Sequence, residues 1–303
     1  MSNKLNVTGA VLVSLTISEF GNNKRDETAT QDVVERNQLA DATVARVWKT
    51  LLPKGSAIDQ VRTAISALRS FHYKNTHSYV HDGPRILTTK NFAEYQKGLR
   101  QLEDEFQKAV LNLVADFEAL KASAQHKLGN LFKDSDYPTS EELQNAYRVS
   151  VIYSPLPATD NLLDLGLEPA DMAKMRAQLE QELQATFQSA NRRMWAELHD
   201  RLATVVSQMS NEKSSVHPKT LEGITSLVEM LPRMNLTNDE ALDAMSQRLT
   251  SMLQAMQSQA FRHDTELKSK VASEARAVFG VMSSFMNAKR RTPQAMEMRV
   301  AQA

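Results

Sequence analysis

The sequence predicts a mostly α-helical protein, built from long helical hairpins or a coiled coil with one small two-stranded antiparallel β element. Glycine and proline each occur only nine times in 303 residues, which favours few turns and long regular elements. Apolar residues recur at helical spacings over most of the chain, and only two short segments show the alternation of a strand. Hydrophobic residues make up 42% of the chain and charged residues 24%, a balance typical of globular proteins.

The first predicted element is a half-buried strand near the start. Val11, Val13, Leu15 and Ile17 alternate with mostly polar residues and place apolar side chains on one strand face. This segment is too short to span a bilayer, and it lacks the strongly apolar centre and the cleavage site of a signal peptide. The chain also contains no cysteine. We therefore expect a protein of a reducing cytoplasm with no membrane contact.

Helices are predicted to fill most of the first half. The apolar spacing indicates three of them, spanning Asp32 to Leu52, Ser56 to Tyr73 and Asn91 to Leu128. Pro53 and Gly55 would end the first helix. Asn91 with Glu94 has the spacing of an N-cap and its capping-box partner, and Gly129 would end the third helix.

A proline-rich hinge follows, from Asp134 to Pro169. Thr139 and Glu142 predict a short capped helix inside it. Val149 to Tyr153 alternates as a second short strand, and an isolated strand is rarely stable. We therefore predict that this strand pairs with the strand near the N-terminus.

The second half is predicted to be a long helical hairpin or coiled coil. One helix would run from Glu168 to Met209, a shorter one from Pro218 to Met234, and a further apolar seam from Leu242 to Phe285. We accordingly divide the chain into a helical domain with a small β element, 1–160, and a hairpin region, 161–303.

Methionine is concentrated in this second half, where thirteen of the fourteen occur. An apolar helix face rich in methionine serves either as part of a core or as an adaptable surface for a partner, and a core is the favoured interpretation. Helices longer than 40 residues rarely exist outside an assembly, however. We therefore predict a homo-oligomer with self-association contacts through Met194, Trp195, Met252 and Met256.

The chain carries no recognisable catalytic motif, so we expect a non-enzymatic protein without a cofactor. The nearest approach to a metal site is the group His72, His77 and His81 with Asp82. His77 and His81 have the i, i+4 spacing of helical metal ligands, but Gly83 follows at once and no distant ligand is evident. Histidines beside a turn are the favoured interpretation, and a bound metal is not expected.

Charge is balanced overall, with 36 basic and 36 acidic residues, but it is uneven along the chain. The stretch from Arg46 to Lys90 holds eight basic and two acidic residues, interleaved with aromatic ones. This combination suits single-stranded nucleic acid, because cations bind phosphates and rings stack on bases. The candidate contacts are Arg46, Lys49, Arg62, Arg69, Lys74, Arg85 and Lys90. Core packing explains Trp48 and Phe71 equally well, since both fall in helical apolar registers.

Three segments of the first half resemble a family. They are Y-V-H-D-G-P-R-I-L from Tyr79, the helical pattern from Phe106 to Phe117, and D-Y-P-T-S-E-E-L from Asp136 with the later S-P-L-P-A-T-D. Together they are similar to a domain-of-unknown-function family of phages and mobile elements. Members are encoded beside a MoxR-like or cobaltochelatase-like AAA+ ATPase and a von Willebrand A-type protein. The resemblance implies an accessory role in such a remodelling system, in the cytoplasm of a bacterial host, and transfers no catalytic residue.

The leading functional hypothesis is therefore a non-enzymatic accessory protein of a phage or mobile element. It would act as an adaptor or structural subunit of the AAA+ and von Willebrand A-type remodelling system and would also self-associate. The alternative is a single-stranded DNA-binding accessory protein of phage recombination or replication, acting through the Arg46 to Lys90 stretch. A metal hydrolase around His77 and His81 is the least favoured hypothesis.

Overall fold

The computed structural model describes residues 9–79, 83–157, 168–209, 216–258 and 264–300, with side chains described up to residue 283. These ranges contain eight α-helices and two small β-sheets, so the predicted mostly helical class is confirmed. No helix within them is both long and apolar enough to cross a membrane.

The chain forms two compact units. Unit 1 comprises Met1–Leu12, Thr76–Asn91 and Pro155–Ala303, and unit 2 comprises Val13–Asn75 and Phe92–Ser154. Each unit therefore combines segments that are distant in sequence. The predicted boundary between residues 160 and 161 lies outside the described residues.

Six strands form the two sheets. Their bounds are β1 Ala10–Ser18, β2 Asn23–Arg25, β3 Trp48–Thr50, β4 His77–Ser78, β5 Arg85–Thr88 and β6 Arg148–Pro155. One sheet has the strand order β4-β5-β1-β6, with β4 and β5 antiparallel. The predicted pairing of the N-terminal strand with the strand near residue 150 is confirmed, because β1 and β6 are hydrogen-bonded neighbours. The prediction of a single two-stranded element is wrong, because the sheets also contain β2 to β5. These strands have two to four residues each, which is too short to show an alternating pattern in the sequence.

The eight helices are α1 Glu27–Arg36, α2 Ala57–Lys74, α3 Thr89–Leu128, α4 Ser140–Ala146, α5 Pro169–Met209, α6 Pro218–Met234, α7 Glu240–Gln257 and α8 Thr265–Val300. Four of these, α2, α3, α5 and α6, lie within two residues of the predicted bounds. The predicted capping box of α4 is present, because the Thr139 hydroxyl accepts from the Glu142 amide and the Glu142 carboxylate accepts from the Thr139 amide. The seam predicted from Leu242 to Phe285 is divided between α7 and α8.

The helix predicted from Asp32 to Leu52 is wrong. The side chain of Asp26 caps a helix that begins earlier, by accepting from the Ala29 amide at 2.9 Å. This helix, α1, ends at Arg36, and Gln38 adopts a φ of 47° that no helix continues through. Of the remaining apolar residues of the prediction, Val44 lies in a 3-10 turn and Trp48 in β3, and the others, Leu39, Val47 and Leu51, lie outside regular elements. Asn91 is likewise a buried residue inside α3 rather than its N-cap, because α3 begins at Thr89.

The core of unit 2 includes apolar side chains of α2, α3 and α4. Phe106 of α3 is fully buried and meets Tyr147, just after α4, edge to face at 6.3 Å between ring centroids. Phe71 of α2 stacks on Tyr95 of α3 at 5.6 Å. Most of the apolar residues that recur at helical spacing along α3 are buried.

In unit 1, the helix α5 packs against α6 and α8, and α7 also packs against α6 and α8. The four helices therefore enclose one apolar core, which includes Leu198, Ile224, Leu249 and Val278. β4 contacts α5, and β5 contacts α6. A side-chain contact joins these elements too, because His77 Nε2 lies 2.8 Å from the Met234 carbonyl oxygen.

Candidate functional site

The most distinctive surface of unit 2 is the antiparallel pair of β2 and β3, here named the ribbon and taken to span Asn22–Asp26 and Arg46–Leu51. Its register places Asn23 opposite Thr50, Lys24 opposite Lys49 and Arg25 opposite Trp48. Backbone hydrogen bonds continue it, from Leu51 N to Asn22 O at 2.8 Å and from Asp26 N to Val47 O at 2.9 Å. Because hydrogen-bonded pairs alternate in an antiparallel ladder, Arg25 and Trp48 form a non-hydrogen-bonded pair, the kind with the closer side chains.

Alternation along the ribbon separates an outer face from an inner face. The outer residues are Asn23, Arg25, Arg46, Trp48 and Thr50, and all five are exposed. Trp48 is 59% exposed, which is unusual for the largest apolar side chain. The outer face thus combines two guanidinium groups with one indole and carries no acidic residue.

The inner face holds a buried cluster of charges. Lys49 Nζ lies 2.8 Å from Asp26 Oδ2, 2.7 Å from Asp136 Oδ2 and 2.6 Å from the Leu131 carbonyl oxygen. Lys24 Nζ lies 2.9 Å from the other oxygen of Asp136. The ribbon is therefore fastened to α1 through Asp26 and to the segment after α3 through Asp136.

The cluster holds its groups in the charged form. The amide of Ala29 and then the ammonium group of Lys49 lower the pKa of Asp26 below its usual 3.8. Burial acts to raise the pKa of Asp136, but hydrogen bonds from Lys49 and Lys24 outweigh it and lower that pKa. Burial acts to lower the pKa of Lys49, and the two carboxylates outweigh it and raise that pKa. Each charge is thus stabilised by its partners.

Lys49 is consequently not an accessible cation. Only 3% of its side chain is exposed, so the structure removes it from the predicted nucleic-acid contacts. Arg46 remains exposed, on the outer face of the ribbon. The periodicity of the sequence missed Arg25, whose place opposite Trp48 depends on the pairing of β2 with β3.

Three further predicted contacts lie on α2. Arg62, Arg69 and Lys74 are exposed, and so is Tyr73, at 59%. Arg62 and Arg69 are seven residues apart, so they share one helix face. Arg62 Nη1 lies 3.5 Å from Asp59 Oδ1, and Arg69 Nη2 lies 3.5 Å from Glu19 Oε1.

The last two predicted contacts, Arg85 and Lys90, belong to unit 1. The Arg85 guanidinium donates to Thr76 and Ser78 and is therefore engaged within its own hairpin. Lys90 is exposed, and its Nζ donates to Asn238 Oδ1 at 2.9 Å. The seven predicted residues do not form one continuous site within either unit.

The histidines are placed as structural groups. His72 is buried, with Nδ1 2.8 Å from the Tyr95 hydroxyl oxygen. His77 is also buried, and because a carbonyl only accepts, its Nε2 donates to Met234. Burial, the largest cause, lowers the pKa of His77. His81 and Asp82 lie outside the described residues, and the described ones include no group of three or more His, Asp or Glu side chains that could hold a metal.

The residues predicted for self-association lie inside unit 1. Met194, Trp195, Met252 and Met256 are between 3% and 8% exposed and belong to the shared core of α5 to α8. Trp195 Nε1 also donates to Asp239 Oδ2 at 3.2 Å. Their apolar surface is thus used within one chain, which agrees with the core interpretation of these seams.

A second exposed apolar surface is found on β6, at one edge of the four-stranded sheet. Tyr153 turns towards α3, where its ring lies 5.3 Å from that of Phe92. Ile152 therefore points to the opposite side, and it is 59% exposed. The run Val149–Pro155 contains no charged residue. The sequence predicted the strand, but its place at an edge follows only from the sheet order.

Comparison with family models, with curated proteins and with solved structures finds no match to this chain. The resemblance to the phage and mobile-element family stays a prediction.

Proposed function

We propose that the chain is a non-enzymatic accessory protein of a phage or mobile element, acting as an adaptor or structural subunit through protein contacts. The observation that carries this proposal is the β6 edge, defined as Arg148–Pro155. Sheet edges of soluble proteins usually carry charges, bulges or cover that block further pairing. The β6 edge instead has seven consecutive uncharged residues, with Ile152 59% exposed.

Such an edge suits strand addition by a protein partner. A partner strand gains main-chain hydrogen bonds along the edge, and alternate side chains supply specificity. Ile152 and Ser150 would supply the outward side chains that the partner contacts. They point outward because they alternate with the β6 residues on the side of Tyr153, which faces α3. Only Arg148 at one end, and Pro155 at the other, would restrict the register.

The partner favoured by the family resemblance is a MoxR-like AAA+ ATPase or a von Willebrand A-type protein encoded nearby. A second copy of the chain is the other protein partner in this proposal. The hairpins of the second half would support such an assembly if they extend as a coiled coil. Self-association through Met194, Trp195, Met252 and Met256 is not retained, because unit 1 buries all four.

Co-purification tests the proposal. The tagged full chain is expressed with the products of its neighbouring genes, among which the resemblance implies a MoxR-like ATPase and a von Willebrand A-type protein. The stoichiometry of the purified complex is then measured. We expect Ile152→Lys to abolish the complex, and Leu111→Lys to preserve it, because Leu111 is similarly exposed at 54% but lies on α3. Sedimentation of each variant alone reports self-association. Recovery of both variants with equal amounts of partner would remove the β6 edge from the proposal.

A further inference from the structure

We propose that the outer face of the ribbon binds single-stranded nucleic acid, with Trp48 stacking on a base and Arg25 and Arg46 pairing with phosphates. This activity is separate from the protein contacts proposed for the β6 edge. It uses different residues of unit 2, and either activity can exist without the other.

The first argument is the chemistry of the outer face. Arg25 lies directly opposite Trp48, and Arg46 precedes Trp48 by two residues on the same side of the strand. Two guanidinium groups thus flank one indole, and none of the five outer residues is acidic. A polyanion with planar bases is complementary to this set, since guanidinium groups bind phosphates and indole rings stack on bases.

The second argument is that the core does not use Trp48. The chain has two tryptophans, and the other, Trp195, is 3% exposed and hydrogen-bonded. On the inner face of the same ribbon strand, Lys49 and Leu51 are 5% and 2% exposed. The strand is therefore packed through its inner face, and the packing imposes no need for an aromatic side chain at position 48.

The third argument is rigidity. Lys49 fastens the inner face through its ion pairs with Asp26 and Asp136. Backbone hydrogen bonds extend the ladder from the pair of Asn22 with Leu51 to the pair of Asp26 with Val47. A surface held in this way loses little conformational freedom on binding, which favours affinity.

The exposed ring indicates single strands rather than a duplex. Base faces are available for stacking only where the bases are unpaired, and the phosphate contacts read no sequence. Two arginines imply weak, salt-dependent and sequence-tolerant binding. With two phosphates neutralised, the logarithm of the affinity should fall with a slope of about −1.4 against the logarithm of the salt concentration.

The test uses the full chain with a labelled 20-nucleotide oligo-dT, the matching oligo-U, a duplex of equal length and polyglutamate. Fluorescence anisotropy is measured at two salt concentrations, and tryptophan emission is recorded alongside. We expect both single strands to bind and to quench the tryptophan emission, and we expect the duplex and polyglutamate to bind at least tenfold more weakly. A preference between oligo-dT and oligo-U would identify the natural strand.

Variants locate the site. Trp48→Ala should lose about fivefold to 100-fold in affinity together with the quenching, because one base loses its stacking partner. Arg25→Glu and Arg46→Glu should each weaken binding and make the salt slope shallower. Arg100→Glu of α3 is the control for net charge and Leu111→Ala the control for a similarly exposed apolar residue, and both should stay within twofold of the unmodified chain.

Several outcomes would overturn the inference. They are the absence of single-strand binding at low salt, unchanged affinity of a folded Trp48→Ala, and equal binding of the duplex. Preferred binding of polyglutamate would instead identify an acidic protein segment as the ligand. Thermal melting confirms that each variant is folded. Co-purification with the ATPase is measured for the same variants. A complex that is lost on Ile152→Lys but kept on Trp48→Ala would support the adaptor function independently of nucleic-acid binding. The two proposals can therefore fail separately.

Discussion

Lys49 Nζ lies 2.8 Å from Asp26 Oδ2 although the two residues are 23 positions apart, and only 3% and 1% of their side chains are exposed. Asp26 also caps α1 with its other oxygen, so one carboxylate begins a helix and fastens a strand. A lysine that composition alone groups with the basic surface is therefore part of the interior. Because Lys49 is held on the inner face of the ribbon, its neighbour Trp48 lies on the outer face.

Replacing Lys49 should be strongly destabilising. Lys49→Met leaves the carboxylates of Asp26 and Asp136 buried without their shared cation, which costs about 3–5 kcal/mol in the free energy of unfolding. Lys54→Met is the control, because Lys54 is exposed, and it should change this free energy by less than about 0.5 kcal/mol. Urea denaturation followed by circular dichroism measures both. Equal midpoints for the two variants would contradict a stabilising role of the cluster.

The same cluster predicts a loss of stability in acid. The folded-state pKa values of Asp26 and Asp136 lie below 3.8, so their contribution is present above that pH and is lost as the pH falls through the folded-state values. The pKa of Lys49 lies above 10.5, so its contribution is present below pH 10.5 and is lost as the pH rises through the folded-state value.

Denaturation between pH 6 and pH 2 checks the acid side of this prediction. The unmodified chain should lose its advantage over Lys49→Met below about pH 4, because protonated carboxyls no longer need the ammonium group. A constant difference between the two proteins over this range would show that these carboxyls do not titrate with unfolding.

Gly98 of α3 should resist replacement, although glycine is unfavourable inside a helix. A Cβ at this position would lie 2.4 Å from Phe71 Cζ, and the Phe71 ring is held by stacking on Tyr95. We expect Gly98→Ala to destabilise the protein by about 1–3 kcal/mol through overpacking.

Gly280 of α8 provides the matched comparison, because a Cβ there meets nothing within 4 Å. Gly280→Ala should stabilise the protein by up to about 1 kcal/mol through helix propensity. Thermal and urea denaturation measure both variants. A stabilising Gly98→Ala would show that Phe71 moves aside at little cost.

Phe106 should be among the most sensitive positions of unit 2. Its side chain is fully buried and contacts Tyr147, so Phe106→Ala should lower the free energy of unfolding by about 3–5 kcal/mol through lost burial and a cavity. Leu111→Ala on the same helix should have a small effect, because Leu111 is 54% exposed. Chemical denaturation that gives a loss below 1 kcal/mol for Phe106→Ala would contradict this account of the core.

Long periodic segments were predictable, and short ones were not. The bounds of α2, α3, α5 and α6 follow from repeated apolar spacings and from clear start or stop residues such as Pro169 and Gly129. The stretch from Val44 to Leu51 was mispredicted because its apolar residues fit a helical period as well as an extended strand. The deciding interaction, between Lys49 and Asp26, is not a local one.

The candidate surfaces show the same limit. The sequence by itself determined the helical class, the two longer strands and the amphipathic faces, because these depend on residues within a few positions of one another. Only the tertiary structure decided that β2 and β3 pair, that Lys49 is buried, that Trp48 is exposed and that the seam methionines are enclosed. Each of these depends on which distant segment covers a side chain, and a distant contact leaves no periodic signal in a single sequence.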